Sequence, residues 1–186
     1  MNDLIIFNKP YGVICQFSPH EKHASLKDFI NVPGFYPAGR LDTDSEGLLL
    51  LTNNGRLQAR IAEPKFGKEK TYWAQLEGAP DPIKLALLQK PMDLGDFNTR
   101  PARIRLLETE EIDKLWPRNP PIRERKTVPD FWLEITISEG KNRQVRRMTA
   151  KAGYPCLRLV RVAVGQLNLF EQNLDLGCWR YTAQRP

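Results

Sequence analysis

The chain reads as an α+β protein with a mixed or mostly antiparallel sheet. Three observations lead there. Apolar segments of strand length outnumber helical ones. The helices occur singly between strands. Several neighbouring strands are separated by short turns, which favours antiparallel pairing. The 186 residues suffice for one large domain or two small lobes, and a hydrophobic content of 41% permits a sizeable core. The 15 prolines and 12 glycines imply that many turns cross it.

Each element has a local reason. DLIIFN (3–8) is a buried strand closed by Lys9-Pro10-Tyr11-Gly12, and VIC (13–15) is expected to continue its pairing. SLKDFI (25–30) is a short helix, with Ser25 as N-cap and Asp28 three residues on. LLLLT (48–52) is a continuous apolar strand. NNGRLQARIAE then turns helical, placing Leu57 and Ile61 one turn apart. KTYWAQLEG (70–78) alternates as a strand, and DPIKLALLQK (81–90) opens a helix with Asp81 as N-cap and Pro82 at its first position. RPARIRLLE (100–108) and DFWLEITIS (130–138) are strands. Between them LWPRNPPIRERKTVPD (115–130), rich in proline and arginine, reads as an inserted surface loop of the kind that often carries function. NRQVRRMTAKAG (142–153) is a helix with Val145, Met148, Thr149 and Ala152 on one stripe, stopped by Gly153; CLRLVRVAVG and QLNLF supply the last strands.

Composition narrows the function. Basic residues exceed acidic ones by 28 to 22, a net charge of +6, which points to a polyanion and most simply to nucleic acid. Cys15, Cys156 and Cys178 are scattered and make no CxxC pair. With only His20 and His23, both in a polar loop, neither a zinc site nor a disulfide framework is expected. The N-terminus lacks the pattern of a secretory signal and no segment has the length of a membrane span, so a cytoplasmic protein is expected. No heptad or apolar interface stripe stands out, so a monomer is expected.

Two stretches carry chemistry. GRLDTDSEGLLLLTNNG (39–55) spaces Asp42, Asp44 and Glu46 two residues apart, just before the most apolar strand. Together they could hold a cation, or one could do chemistry while the others face water. Asp42, Asp44, Glu46 and Gly47 do match the first positions of a calcium loop, but its closing glutamate is here Asn53 and its middle would be the leucine strand. A glycosidase pair fits no spacing and suits a basic protein poorly. The second stretch, 141–161, holds Lys141, Arg143, Arg146, Arg147, Lys151, Arg158 and Arg161 and no acid. One sign over that length suggests a phosphate-tracking face, against the plainer reading of a solvated helix. Arg146, on the border of the apolar stripe, can turn inward to keep a buried carboxylate ionised.

These stretches closely resemble the motifs of the RsuA-type pseudouridine synthases. GRLDTDSEGLLLLTNNG is similar to that family's catalytic signature, KTYWA (70–74) to its K-x-Y motif, EGKNRQVRRM (139–148) to its EG-x-x-x-QVRRM motif, and LRLVRVAVGQLNL (157–169) to its final segment. Four blocks in the family's order over nearly the whole chain make a specific signal. The loop LWPRNPPIRERK further resembles the RluE subgroup, which acts on 23S ribosomal RNA. Many family members carry an N-terminal S4-type RNA-binding domain; here the first catalytic strand begins at residue 3, so none is expected.

The resemblance implies one catalytic domain over 1–186, with a mostly antiparallel central sheet in two lobes, flanked by helices and divided by a cleft. It implies isomerisation of a uridine in RNA to pseudouridine, with no cofactor or metal required. Asp42 matches the essential aspartate, as nucleophile at C1′ or as base on the sugar. Tyr72 matches the tyrosine that stacks on the flipped base; without the motif it would read as a core residue. Arg146 matches the basic residue that pairs with the aspartate, and Leu159 the apolar residue that packs on the base. Arg40 is expected to contact the RNA backbone or to replace the flipped base in the stack. Lys141, Arg143 and Arg147 are expected to contact phosphates, and Asp44 and Glu46 to be solvent-facing turn residues, Asp44 with a part in shaping the loop. The expected partner is ribosomal RNA, 23S first, or a pre-ribosomal particle. A synthase of small-subunit RNA and a non-catalytic assembly factor on the same fold are the rival readings.

Overall fold

The structure is a computed structural model that describes residues 3–123 and 127–186. In chain order the strands and helices are β1 (Leu4–Lys9), β2 (Tyr36–Pro37), β3 (Glu46–Thr52), α1 (Gly55–Ala62), β4 (Lys70–Glu77), α2 (Pro82–Leu88), β5 (Arg103–Leu106), α3 (Thr109–Ile112), β6 (Asp130–Ile137), α4 (Gln144–Lys151), β7 (Cys156–Val164), β8 (Leu167–Asn168) and β9 (Trp179–Tyr181). Single 3-10 turns occupy Leu26–Asp28 and Pro64–Phe66. Side chains cap the starts of α1 and α2. Asn54 Oδ1 accepts from the N–H groups of Arg56 and Leu57, and Asp81 Oδ1 accepts from Ile83. The Asp28 carboxylate accepts from the Ser25 N–H at 2.7 Å.

The sheet runs β5-β6-β4-β7-β3-β1-β9, with β2 added to β3 and β8 to β7. Every pairing is antiparallel except β3 with β7, which is parallel and only two residue pairs long, Glu46 with Val160 and Gly47 with Arg161. That short seam joins two halves, β5-β6-β4-β7 and β3-β1-β9. Gly47 makes it possible. Its φ is +97°, and a Cβ there would lie 2.4 Å from the Arg161 carbonyl oxygen, so no other residue fits without moving a strand.

Strand alternation sends side chains to two layers. On one face Tyr72, Ala74 and Leu76 of β4 join Leu49, Leu51, Leu133, Ile135, Val145, Met148 and Leu159 in the main core. On the other, Leu48 and Leu50 pack with Ile61 and Leu167, while Trp73 packs with Val160 and Val162. The apolar stripe of α4 is buried as its spacing requires, Thr149 included.

Several local expectations change. Residues 13–15 do not extend a strand; Ile14 makes one isolated bridge to Ser25. The helix read over 142–153 begins at Gln144, because Arg143 takes a left-handed conformation with φ +48°. The elements β2, α3 and β9 are too short to leave a periodic signal. The loop 115–130, part of which (124–126) lies outside the described residues, does not simply skirt the surface. Trp116 turns inward and packs against the two clusters behind the sheet.

Candidate active site

A cleft of about 670 Å³ opens where the two halves meet. The turn before β3 supplies one wall, with Arg40, Leu41 and Asp42. The other comes from Tyr72 on β4, Leu159 on β7 and the approach to α4, with Lys141 and Arg143. Six of the eight residues singled out in the sequence therefore share one cavity: Arg40, Asp42, Tyr72, Lys141, Arg143 and Leu159. Arg146 and Arg147 stand just outside it. Asp42 is the only carboxylate lining the cleft among the described residues, against three cationic side chains. Tyr72 and Leu159 are 7% and 5% exposed, so they form an apolar floor rather than a rim.

The turn that presents Asp42 is held from below. The Ser45 N–H donates to the Asp42 carbonyl (3.1 Å), and the Gly12 N–H donates to the Thr43 carbonyl (2.8 Å). Lys9 is fully buried beneath it, giving its ammonium to the Val13 and Pro10 carbonyls; burial pulls its pKa down to about 8. Cys15 lines the cleft and accepts from the Leu41 N–H, but burial raises its thiol pKa; Cys156 is pushed up to about 11 by the same cause. Neither thiol is a ready nucleophile.

The acids diverge, and this corrects two sequence expectations. Asp44 is not a free turn residue. Arg143 grips its carboxylate with both terminal nitrogens (3.0 and 2.9 Å), and Arg146 donates to its carbonyl (2.8 Å) while its Nε stands 3.5 Å from Oδ2. Burial pushes the Asp44 pKa up, but the Arg143 hydrogen bonds and the charges of Arg146 and Arg143 outweigh it, leaving the group below 3.8. Glu46 is 1% exposed on the far face of the sheet, where Arg158 reaches it through Nε and Nη2 (2.9 Å each) and Trp116 Nε1 donates to it at 2.8 Å. No group of three His, Cys, Asp or Glu residues is placed to hold a metal among the described residues.

Arg146 is also corrected. Its partner is Asp44, with a further bond to the Cys156 carbonyl (3.0 Å); the guanidinium next to Asp42 belongs to Arg143, 3.4 Å from Oδ2. The one-sign basic stretch proves to be largely paired within the protein, and its last two members are buried. Arg158 and Arg161 are 7% and 1% exposed, and Arg161 donates to the Leu48 (2.8 Å) and Gly39 (2.9 Å) carbonyls across the seam. Arg147 pairs with Asp96 and lies over the Phe97 ring, and Lys151 donates to the Asp93 carbonyl. Lys141 is exposed, its ammonium 5.7 Å from the Phe97 ring centre. Sequence reasoning missed two pairings, Asp44 with Arg143 and Arg146 in front and Glu46 with Arg158 and Trp116 behind. The available signal was complementarity: an acid cluster in one block and an acid-free basic block in another.

Comparison with known proteins gives the chain its relatives. The family described as RNA pseudouridylate synthase matches residues 3–151. A Xanthomonas campestris protein named ribosomal large subunit pseudouridine synthase E is 53% identical over 179 residues, covering 95% of this chain and 94% of its own length. A Vibrio vulnificus protein of the same name is 50% identical over 177 residues, covering 95% of this chain and 74% of its own. Among solved structures, a pseudouridylate synthase crystal structure superposes with a TM-score of 0.76 at 29% identity, over 98% of this chain and 70% of that one.

Proposed function

The chain belongs to the RNA pseudouridylate synthase family, and we propose that it isomerises one uridine of large-subunit (23S) ribosomal RNA, with Asp42 as the essential residue. One observation carries the reading. Asp42, the sole carboxylate of the cleft among the described residues, stands over an apolar floor of Tyr72 and Leu159 and beside Arg40, Lys141 and Arg143. A cavity of this size admits a nucleotide. The target must leave its stack at a cost of roughly a few kcal/mol, which phosphate contacts by exposed Arg40 and Lys141 help offset.

In the reaction the C1′–N1 bond breaks, the base turns, C5 joins C1′, and the C5 proton is lost while N1 gains one, so the atoms balance without a co-reactant. Asp42 acts at the ribose, as nucleophile on C1′ or as base on the sugar. Tyr72 stacks on the extruded base, and its phenol oxygen is suited to take the C5 proton. Leu159 packs on the base. Arg143, rather than Arg146, is the cation that steadies the Asp42 carboxylate; Arg146 acts through Asp44. Arg147 contacts RNA only by leaving Asp96. The protein works as one catalytic domain, as a cytoplasmic monomer, on ribosomal RNA or a pre-ribosomal particle. The relatives named for the ribosomal large subunit support the substrate class.

The test is tritium release from 5-³H-uridine-labelled ribosomal RNA, with no metal or cofactor added. Wild type should release tritium from large-subunit RNA and Asp42→Asn should release none. Release by both proteins would remove Asp42 from the mechanism. Release from small-subunit RNA alone would correct the substrate.

A further inference from the structure

Asp42 and its apolar floor belong to different halves of the sheet, so their relative placement depends on the seam. Backbone pairing there is two residues long. The rest of the junction is made by side chains, and on the back face these converge on Glu46. Arg158 from β7 supplies two hydrogen bonds to it and Trp116 a third. Arg158 Nη2 also donates to the Trp116 carbonyl at 2.9 Å, and its guanidinium carbon lies 5.8 Å from the Trp116 ring centre and 5.9 Å from that of Trp132. Trp116 packs against both back-face clusters, one built on Trp73, Val160 and Val162 of the β4-β7 half and the other including Leu48 and Leu50 of β3. It therefore spans the seam with its ring and closes it with its N–H. Glu46 lies one residue past Ser45, whose N–H closes the Asp42 turn, and Arg158 immediately precedes Leu159 of the cleft floor.

We infer that Trp116 is a positioning residue. By completing the Glu46–Arg158 pair behind the sheet, the inserted segment sets where Asp42 stands relative to Tyr72 and Leu159. The inference rests on the proposed reaction. It assigns this anchor of the loop to the rate of the chemical step and not to RNA affinity. Breaking a buried polar set leaves a desolvated group unpaired, and the seam shifts to relieve it. Misplacement by a fraction of an ångström at reacting atoms is enough to slow a reaction substantially.

The experiment is single-turnover kinetics of Trp116→Phe on 23S RNA, beside RNA binding and melting temperature. Phenylalanine keeps an aromatic ring and removes the N–H. The rate at saturating enzyme should fall about tenfold while RNA affinity stays within about twofold. Glu46→Gln, which keeps the shape and removes the charge, should behave alike, and adding Trp116→Phe to it should lower the rate by clearly less than tenfold. Weakened RNA binding with an unchanged rate would make Trp116 part of an RNA contact and overturn the inference; so would no change in either. A second readout needs no activity. Hydrogen exchange at the Ser45 amide should quicken in Trp116→Phe, and unchanged exchange would also overturn the inference. If wild type is inactive on ribosomal RNA, the substrate reading fails, and the exchange result alone decides whether the seam lock exists. Should Trp116→Phe fail to fold, Glu46→Gln carries the same measurements.

Discussion

Asp42 and Glu46 are four residues apart, and the sheet treats them oppositely. In front, Arg143 holds Asp44 and touches Asp42 with all three side chains a third to nearly half exposed, at 44%, 34% and 37%. Behind, Arg158 holds Glu46 with both nearly sealed from water, at 8% and 1%. The pairing chemistry is the same, and the surroundings differ. Water screens the front pair, so its partners can be exchanged for a phosphate at little cost. The buried pair cannot be half-dissolved without stranding a charge. The difference separates a water-screened face from a sealed one.

Four measurements would sharpen or break that contrast. The largest effect belongs to the front. Asp42→Asn should lower pseudouridine formation by more than about 1,000-fold while shifting unfolding free energy by less than about 0.5 kcal/mol, since it touches only an exposed, long contact. A comparable loss of stability would mean that Asp42 is structural. Next is the back. Arg158→Ala should destabilise by roughly 3–5 kcal/mol in urea unfolding, because it leaves Glu46 buried and unpaired. A change near zero would show water entering behind the sheet.

Smaller again is Arg143→Ala, expected to alter stability by less than about 1 kcal/mol, as an exposed pair does. Its effect should show as slower turnover and a shallower dependence of RNA binding on salt. The smallest is a pH effect. The Asp44 carboxyl lies below its unfolded value of 3.8, so its contribution to stability is full above that pH and fades as pH falls through the folded value. The melting-temperature gap between wild type and Asp44→Asn should thus be constant near neutrality and close below about pH 4. A gap that closes near pH 6 would point to another group.

Much of this was legible locally. The leucine run read as a buried strand, Asp81 as an N-cap and Gly153 as a helix stop, and each is so. Asp42, Tyr72 and Leu159 stood in recognisable motifs. What was illegible concerned partners. Nothing in NRQVRRM says that Arg143 adopts a left-handed conformation and reaches Asp44, while Arg146, three residues on, reaches the Asp44 carbonyl. The proline-rich appearance of 115–130 likewise concealed Trp116.

The physical reason is range. Strand and helix periodicity, caps and glycine stops are set by neighbours within a turn, so the order of residues by itself determined the longer elements, the α+β class and the acid-bearing turn. Which charge meets which depends on pairs about 100 residues apart, brought together by a two-residue parallel seam that only Gly47 permits. The tertiary structure alone decided that Asp42 faces the cleft, that Glu46 is sealed behind it, and that six of the seven basic residues of 141–161 serve the protein's own carboxylates and carbonyls.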